Sequence, residues 1–97
     1  MIVSFRDDGT EDIFNGRSTQ AALRTCPMPI WGVAQRKLDQ VDSASVLGDL
    51  RIPPGNRLER LAGDRSGQHS IRVNDRYRIC FTWTPAGPAD VEITDYH

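Results

Sequence analysis

The chain ends in three side chains that can exchange protons or hydrogen bonds with a substrate, Asp95, Tyr96 and His97. Histidine titrates near neutral pH and can act as an acid or as a base. The α-carboxylate of His97 would hold its own imidazole in the protonated form, which favours the acid role. Chain termini are often frayed, so an inert His97 is an equal alternative.

Arginine is concentrated in one segment of the chain. Residues 51–80 hold seven arginines against three acidic residues, whereas residues 1–50 hold five basic and seven acidic side chains. The planar guanidinium suits phosphate oxygens and stacks on bases, and such a block is the electrostatic footprint expected for a polyanion. A solvated strand face balanced by the acidic parts of the chain explains the charges equally well. The seven are Arg51, Arg57, Arg60, Arg65, Arg72, Arg76 and Arg78.

Other kinds of site have little support. Cys26 and Cys80 are too few for a disulfide framework and stand in no CxxC motif, so each is expected to fill apolar space. The only histidines are His69 and His97, and no Cys/His spacing resembles a zinc site. We expect neither a metal ion nor another cofactor.

Length and hydropathy predict one domain that spans residues 1–97. No apolar run approaches the roughly 18 residues that cross a bilayer, so no membrane partner is expected. The N-terminus lacks the basic start and the long apolar stretch of a secretory signal. The expected location is the cytoplasm.

The first half of the chain predicts a short strand and a short helix. Ile2, Val3 and Phe5 indicate an opening strand. Thr10 is followed by two acidic residues, which predicts a helix with Thr10 as its N-cap and with Gly16 at its end.

Two further helices are predicted before the chain reaches a loop at residues 53–56. One begins near Ser18 or Thr19, and the other spans residues 30–41. Apolar residues recur at helical spacing in the latter and predict a face that packs on a sheet. They are Ile30, Ala34, Leu38 and Val41.

The second half changes to strand periodicity. Residues 69–73, 78–83 and 91–93 alternate between apolar and polar side chains, with turn residues between them. Helices followed by an antiparallel sheet of three or four strands make an α+β fold. Alternation turns one set of side chains toward the helices: Ile71, Val73, Ile79, Phe81, Trp83, Val91 and Ile93. It leaves the opposite sheet face bare, and that face carries Ser70, Arg72, Arg78, Cys80, Thr82, Glu92, Thr94 and Tyr96.

A wet face is normal for an antiparallel sheet, but two arginines and a tyrosine on it also suit an RNA-binding cleft. By the same alternation Asp95 points toward the helix side.

Several motifs resemble the HigB-type plasmid maintenance killer toxins of the RelE superfamily. They cover about half of the chain. They are Arg51-Ile52-Pro53-Pro54-Gly55-Asn56-Arg57-Leu58-Glu59, Gly63-Asp64-Arg65, Gly67-Gln68-His69-Ser70-Ile71-Arg72-Val73-Asn74, Arg78-Ile79-Cys80-Phe81 and the closing Asp90-Val91-Glu92-Ile93-Thr94-Asp95-Tyr96-His97. Residues 1–6 are similar to the family's first strand.

The resemblance implies a RelE-like fold, in which an N-terminal strand and two or three short helices pack on the sheet. It implies a metal-free endoribonuclease that cuts mRNA in the ribosomal A site. The ribose 2′-OH would attack the neighbouring scissile phosphate and release a 5′-OH. It further implies a HigA-type antitoxin with a helix-turn-helix, through which alone the toxin would contact operator DNA.

Matched by position, Arg78 corresponds to the arginine expected at the phosphate, Tyr96 to a tyrosine that stacks on a base or bonds the 2′-OH, and His97 to a terminal proton carrier. Asp95 corresponds to the acid before that pair, in a catalytic or an orienting role. An exposed strand arginine and a core-edge tyrosine are the structural alternatives. Candidates for RNA binding are Arg57, Arg60, Arg65, Arg72 and Arg76.

Two positions depart from the pattern. Glu59 stands where some relatives have histidine, and Ala62 stands where related toxins often have lysine. A missing cation would weaken transition-state stabilisation by about 3 kcal/mol, unless Arg60 or Arg65 replaces it. This leaves an alternative function, a catalytically weak or inactive binding protein of the RelE/ParE fold that inhibits another target or acts as co-repressor with its antitoxin.

Overall fold

The computed structural model describes residues 1–95, in which three α-helices precede a four-stranded sheet. The helices are α1 (Asp8–Phe14), α2 (Gln20–Thr25) and α3 (Trp31–Ser43), and the strands are β1 (Glu59–Arg60), β2 (His69–Arg72), β3 (Tyr77–Thr84) and β4 (Gly87–Asp95). Short 3-10 turns lie at Met28–Ile30, Leu47–Arg51, Pro54–Asn56 and Gly63–Arg65. The predicted α+β fold is confirmed. None of the helices in residues 1–95 is long and apolar enough to cross a membrane.

The start of α1 corrects the predicted N-cap. Asp7 caps the helix, because its Oδ1 accepts a hydrogen bond from the Thr10 amide at 2.7 Å. Thr10 lies inside the helix and is completely buried, and its hydroxyl oxygen accepts a hydrogen bond from the Ile93 amide at 3.0 Å. Thr10 therefore joins α1 to β4. The N-cap of α2 is Thr19, one of the two residues near which the sequence predicts this helix to begin.

The apolar face of α3 packs in the core, as its spacing predicts. Ala34, Leu38 and Val41 are fully buried, while Ile30 lies in the preceding turn and is half-buried. The helix-facing side chains of the sheet belong to the same core. They are Ile71, Val73, Ile79, Phe81, Val91 and Ile93, with Trp83 packed against them.

The sheet is antiparallel, with the strand order β1-β2-β3-β4. Arg78 lies opposite Arg72 on β2 and opposite Thr94 on β4. The register between β3 and β4 shifts after Cys80, where Asp90 has a left-handed backbone (φ 52°). This irregularity lies where the N-terminal segment meets β4, since the Arg6 amide donates to the Val91 carbonyl.

The opening strand is only partly as predicted. Phe5 forms an isolated parallel bridge with Val91. The Val3 amide donates to the Pro88 carbonyl at 2.7 Å, and the Arg6 amide donates to the Val91 carbonyl at 3.0 Å. The N-terminal segment therefore covers the outer edge of β4 without forming a full strand.

A buried asparagine holds the loop after α3 in place. Asn56 is 0% exposed, and its Nδ2 donates to Gln40 Oε1 at 3.0 Å and to the Leu50 carbonyl at 3.2 Å. Its Oδ1 accepts a hydrogen bond from Lys37 Nζ at 2.5 Å. This loop leads directly into β1 and so sets the position of that edge strand.

Candidate functional site

The sheet face that points away from the helices is not bare in its centre, contrary to the prediction. Ser70 and Cys80 are both 0% exposed. Arg65 reaches across this face from the turn between β1 and β2, and its Nη1 lies 2.6 Å from Glu92 Oε1 on β4. Arg6 approaches the same carboxylate at 3.8 Å. The prediction failed because alternation gives the side on which a residue lies but cannot show that long side chains cover it.

Arg78 is the best-positioned cation of this face. Its Nε donates to Ser70 Oγ at 2.8 Å, and its Nη2 donates to the Arg57 carbonyl at 2.7 Å. Only 12% of the side chain is exposed, and Glu59 Oε2 lies 3.9 Å from Nη2. Nη1 forms no hydrogen bond with residues 1–95. The guanidinium is therefore held in one orientation.

The carbonyl that contacts Arg78 depends on an unusual backbone. Arg57 ends the Pro54–Asn56 turn in the left-handed region (φ 47°, ψ 57°), which is uncommon for a residue with a side chain. The Arg57 side chain is exposed. Arg57 thus contributes its backbone to the position of Arg78 and presents its own guanidinium to solvent.

Arg72 lies on the same face, opposite Arg78 in the register. It forms a short ion pair with Asp75 in the turn that follows β2. Arg65, Arg72, Arg78 and the backbone of Arg57 are thus together on one side of the sheet.

Asp95 is not part of this group. It pairs with Tyr77 in the register and therefore shares the side of Tyr77, as alternation predicts. Its carboxylate accepts a hydrogen bond from Arg76 Nε at 2.7 Å, and this contact raises the pKa of Arg76. The Arg76 guanidinium also lies 5.8 Å from the Tyr77 ring centroid.

Arg60 is also separated from Arg78. It pairs with His69 in the register, and the two line a groove on the helix side of the sheet. The His69 ring is nearly parallel to that of Phe81, with 6.4 Å between the ring centroids. Burial, with the positive charge of Arg60, lowers the pKa of His69, whose Nδ1 is buried with no hydrogen bond to the part of the chain that is described.

Neither cysteine is positioned for nucleophilic chemistry. Burial raises the pKa of the Cys26 thiol to about 11. Burial also raises the pKa of Cys80, which lies near the charges of Arg65, Glu92 and Arg78. Over residues 1–95, no group of three or more His, Cys, Asp or Glu side chains could hold a metal ion.

Comparison with known proteins identifies the family. Residues 3–97 match the model of the HigB-like toxins, described as RelE-like toxins of the type II toxin-antitoxin system HigB. The chain belongs to this family. Its sequence is 41% identical to Toxin HigB-1 of Vibrio cholerae serotype O1 over 83 residues. These residues are 86% of this chain and 84% of that protein.

Two further proteins are similar to this HigB-like toxin. An uncharacterized protein of Haemophilus influenzae is 34% identical over 79 residues, which are 81% of this chain and 75% of the relative. A chain of the YoeB-YefM complex from Staphylococcus aureus has the same fold, with a TM-score of 0.60 at 12% identity over 100% of this chain and 98% of that one. As a member of its family, the protein is a toxin with an antitoxin partner.

The predicted site of this HigB-like toxin is thus only partly assembled in the described residues. Tyr96 and His97 lie outside them. Ser70 and Glu92, which contact Arg78 and Arg65, are not among the predicted site residues. Alternation predicts only the sheet face on which they lie. Arg6 gave no signal, because only the docking of the N-terminal segment on β4 brings it to Glu92.

Proposed function

We propose that this HigB-like toxin is a ribosome-dependent endoribonuclease that cuts mRNA, with Arg78 as the cation at the scissile phosphate. The observation that carries the proposal is the fixed guanidinium of Arg78, held by Ser70 Oγ at 2.8 Å and by the Arg57 carbonyl at 2.7 Å. A cation that is already oriented stabilises developing negative charge without reorganising during the reaction. Arginine also stays protonated at any physiological pH.

In the proposed reaction the ribose 2′-OH gives up its proton to the surrounding water as its oxygen attacks the adjacent phosphorus, and the bond from phosphorus to the 5′ oxygen breaks. The products are a 2′,3′-cyclic phosphate and a 5′-OH. Arg78 neutralises the phosphorane oxygens through its Nη1 end. Tyr96 contacts the base or the 2′-OH, and His97 as imidazolium protonates the leaving oxygen. The roles of Tyr96 and His97 rest on the sequence motif.

The ribosome supplies part of the orientation in this proposal. Four arginines of the basic segment contact carboxylates: Arg65, Arg72, Arg76 and Arg78. Paired arginines attract a polyanion less than free ones do, and the whole chain has a net charge of −1. Weak intrinsic affinity for RNA is consistent with a substrate that another particle holds in place. Arg57, Arg65 and Arg72 would contact the RNA that flanks Arg78.

The regulatory partner that we propose is a HigA-type antitoxin with a helix-turn-helix, through which the toxin would reach operator DNA indirectly. The site of action would be the cytoplasm, where translating ribosomes are found. Asp95, which pairs with Arg76 away from the Arg78 face, would hold the end of β4 in place.

The decisive experiment is inducible expression of the toxin without antitoxin, with transcriptome-wide mapping of mRNA 5′ ends. Wild type should arrest growth and produce codon-linked cuts in translated messages. The double variant Arg78→Ala/Tyr96→Phe should lose these cuts, while Arg24→Ala, on the exposed surface of α2, should keep them. Cuts that persist unchanged in the double variant would refute the assignment.

A second function is favoured by the surroundings of Arg78. The Glu59 carboxylate lies 3.9 Å from its Nη2, and the exposed position 62 is an alanine. A negative charge next to the phosphate-binding cation would weaken catalysis. A weak or inactive toxin that acts by binding would arrest growth and leave mRNA intact in the same experiment.

A further inference from the structure

The arginines of the basic segment that contact no carboxylate lie near one edge of the sheet. Within residues 1–95, four of its arginines contact carboxylates. The side chains of the other three, Arg51, Arg57 and Arg60, form no ion pair or hydrogen bond in the described chain, and all three are exposed. Arg60 lies on edge strand β1, Arg57 precedes that strand, and Arg51 lines a groove together with Arg60. This edge is therefore where an external anion meets unneutralised arginine.

Two of these arginines share a groove. Arg51 comes from the turn that follows α3, and Arg60 comes from β1. The groove has a volume of about 470 Å³ and is lined by Leu47, Gly48, Arg51, Leu58, Arg60 and His69. This volume accommodates a few side chains of a peptide segment rather than a folded domain. We call it the Arg51–Arg60 groove.

The walls of the groove distinguish between a nucleic acid and a protein as occupant. Leu47 and Leu58 line it and are half-buried. Val46, which precedes Leu47, and Ile52, which follows Arg51, are 59% and 76% exposed. Exposed aliphatic side chains gain nothing from phosphate but are buried well by a protein partner. Aliphatic walls with two unpaired arginines therefore favour a peptide that carries both aliphatic and acidic residues.

The groove also lies on the opposite face from Arg78. Arg60 and His69 are paired on the helix side, whereas Ser70 and Arg78 occupy the other side. A partner in the groove would leave the Arg78 face uncovered at the point of contact. Such a partner is more consistent with a protein regulator than with the RNA that Arg78 would contact.

We propose that the antitoxin docks in the Arg51–Arg60 groove through a segment with at least two carboxylates and an aliphatic side chain. The carboxylates pair with Arg51 and Arg60, and the aliphatic side chain packs between Leu47 and Leu58. The proposal depends on the antitoxin partner of the family and is independent of RNA cleavage.

The test is the affinity of the full-length toxin for the full-length antitoxin that the adjoining gene encodes, measured by titration calorimetry. Arg51→Glu/Arg60→Glu should weaken binding by about 100-fold, because two attractive pairs become repulsive. The milder Arg51→Ala/Arg60→Ala should weaken it by about 10-fold. The matched control is Arg24→Glu/Arg36→Glu, which reverses two exposed arginines on α2 and α3 and should change affinity by less than about threefold. Thermal melts verify that each variant is folded.

Affinity of the Arg51→Glu/Arg60→Glu variant within about threefold of wild type would overturn the proposal, since that change equals the control. If antitoxin affinity is unchanged and ribosome-bound mRNA cleavage by the same variant falls, the groove is an RNA surface. Loss of antitoxin binding supports the proposal whatever the cleavage result. Absence of cleavage by the wild-type toxin would count against the nuclease function alone.

Discussion

Replacing Ser70 with alanine tests how the orientation of Arg78 is achieved. Ser70 is fully buried, and its Oγ accepts the hydrogen bond from Arg78 Nε at 2.8 Å. Ser70→Ala removes this acceptor and leaves a buried charged donor with one partner fewer. Loss of a hydrogen bond to a charged group costs about 1.5–3 kcal/mol. For a domain of this size that corresponds to a decrease in Tm of roughly 6–24 °C.

The effect on catalysis should exceed what stability explains. The Arg57 carbonyl still holds Nη2 at 2.7 Å, so the guanidinium can pivot but not leave. A shift of about 1 Å in a catalytic group lowers the rate by roughly 100-fold. We expect Ser70→Ala to lower kcat by about 10- to 100-fold with little change in KM, because Arg78 contributes mainly in the transition state.

The assay is single-turnover cleavage of mRNA on programmed ribosomes, at a temperature where urea titration shows the variant to be folded. Ser66→Ala is the matched control, since Ser66 is exposed and lies in the turn before β2. Wild-type kcat in Ser70→Ala, together with a large loss in Arg78→Ala, would show that Ser70 does not position Arg78.

Three further predictions concern stability. Asn56→Ala should lower the free energy of unfolding by about 2–3 kcal/mol in urea titrations, because it leaves buried polar groups unpaired; a loss below about 0.5 kcal/mol would contradict this. Gly9→Ala should lower the free energy of unfolding by about 1–3 kcal/mol, because a Cβ there would lie 2.5 Å from the Ala21 carbonyl oxygen. Gly55→Ala is the control, since a Cβ at that position meets no atom within 4 Å. Burial lowers the pKa of His69 below its usual 6.5, so the unfolded chain binds the proton more readily than the folded one. The free energy of unfolding should therefore decrease as pH falls from about 6.5 through the folded pKa. His69→Gln should reduce this dependence of stability on pH, and the same dependence in both proteins would disprove the prediction.

The α+β order of the elements and most of the core residues are readable from the sequence. The helical spacing of Ala34, Leu38 and Val41 and the alternation of Ile79 and Phe81 depend only on local backbone geometry. The family motifs were equally readable, because they are contiguous. The N-cap of α1 was wrong by three residues, because both Asp7 and Thr10 suit that position, and a contact of Thr10 with β4 decides between them.

The contacts of each arginine depend on tertiary packing. In the sequence Arg60 and Arg78 belong to one basic segment, whereas in the fold they lie on opposite faces of the sheet. Arg78 is fixed by Ser70 and by a left-handed Arg57 carbonyl, and Arg65 meets a carboxylate 27 residues away. A count of charges along the chain cannot show which arginines form ion pairs, because an ion pair depends on distances that tertiary packing sets. The Arg78 site and the Arg51–Arg60 groove are therefore products of strand register and loop docking, even though the motifs that contain them were visible in the sequence.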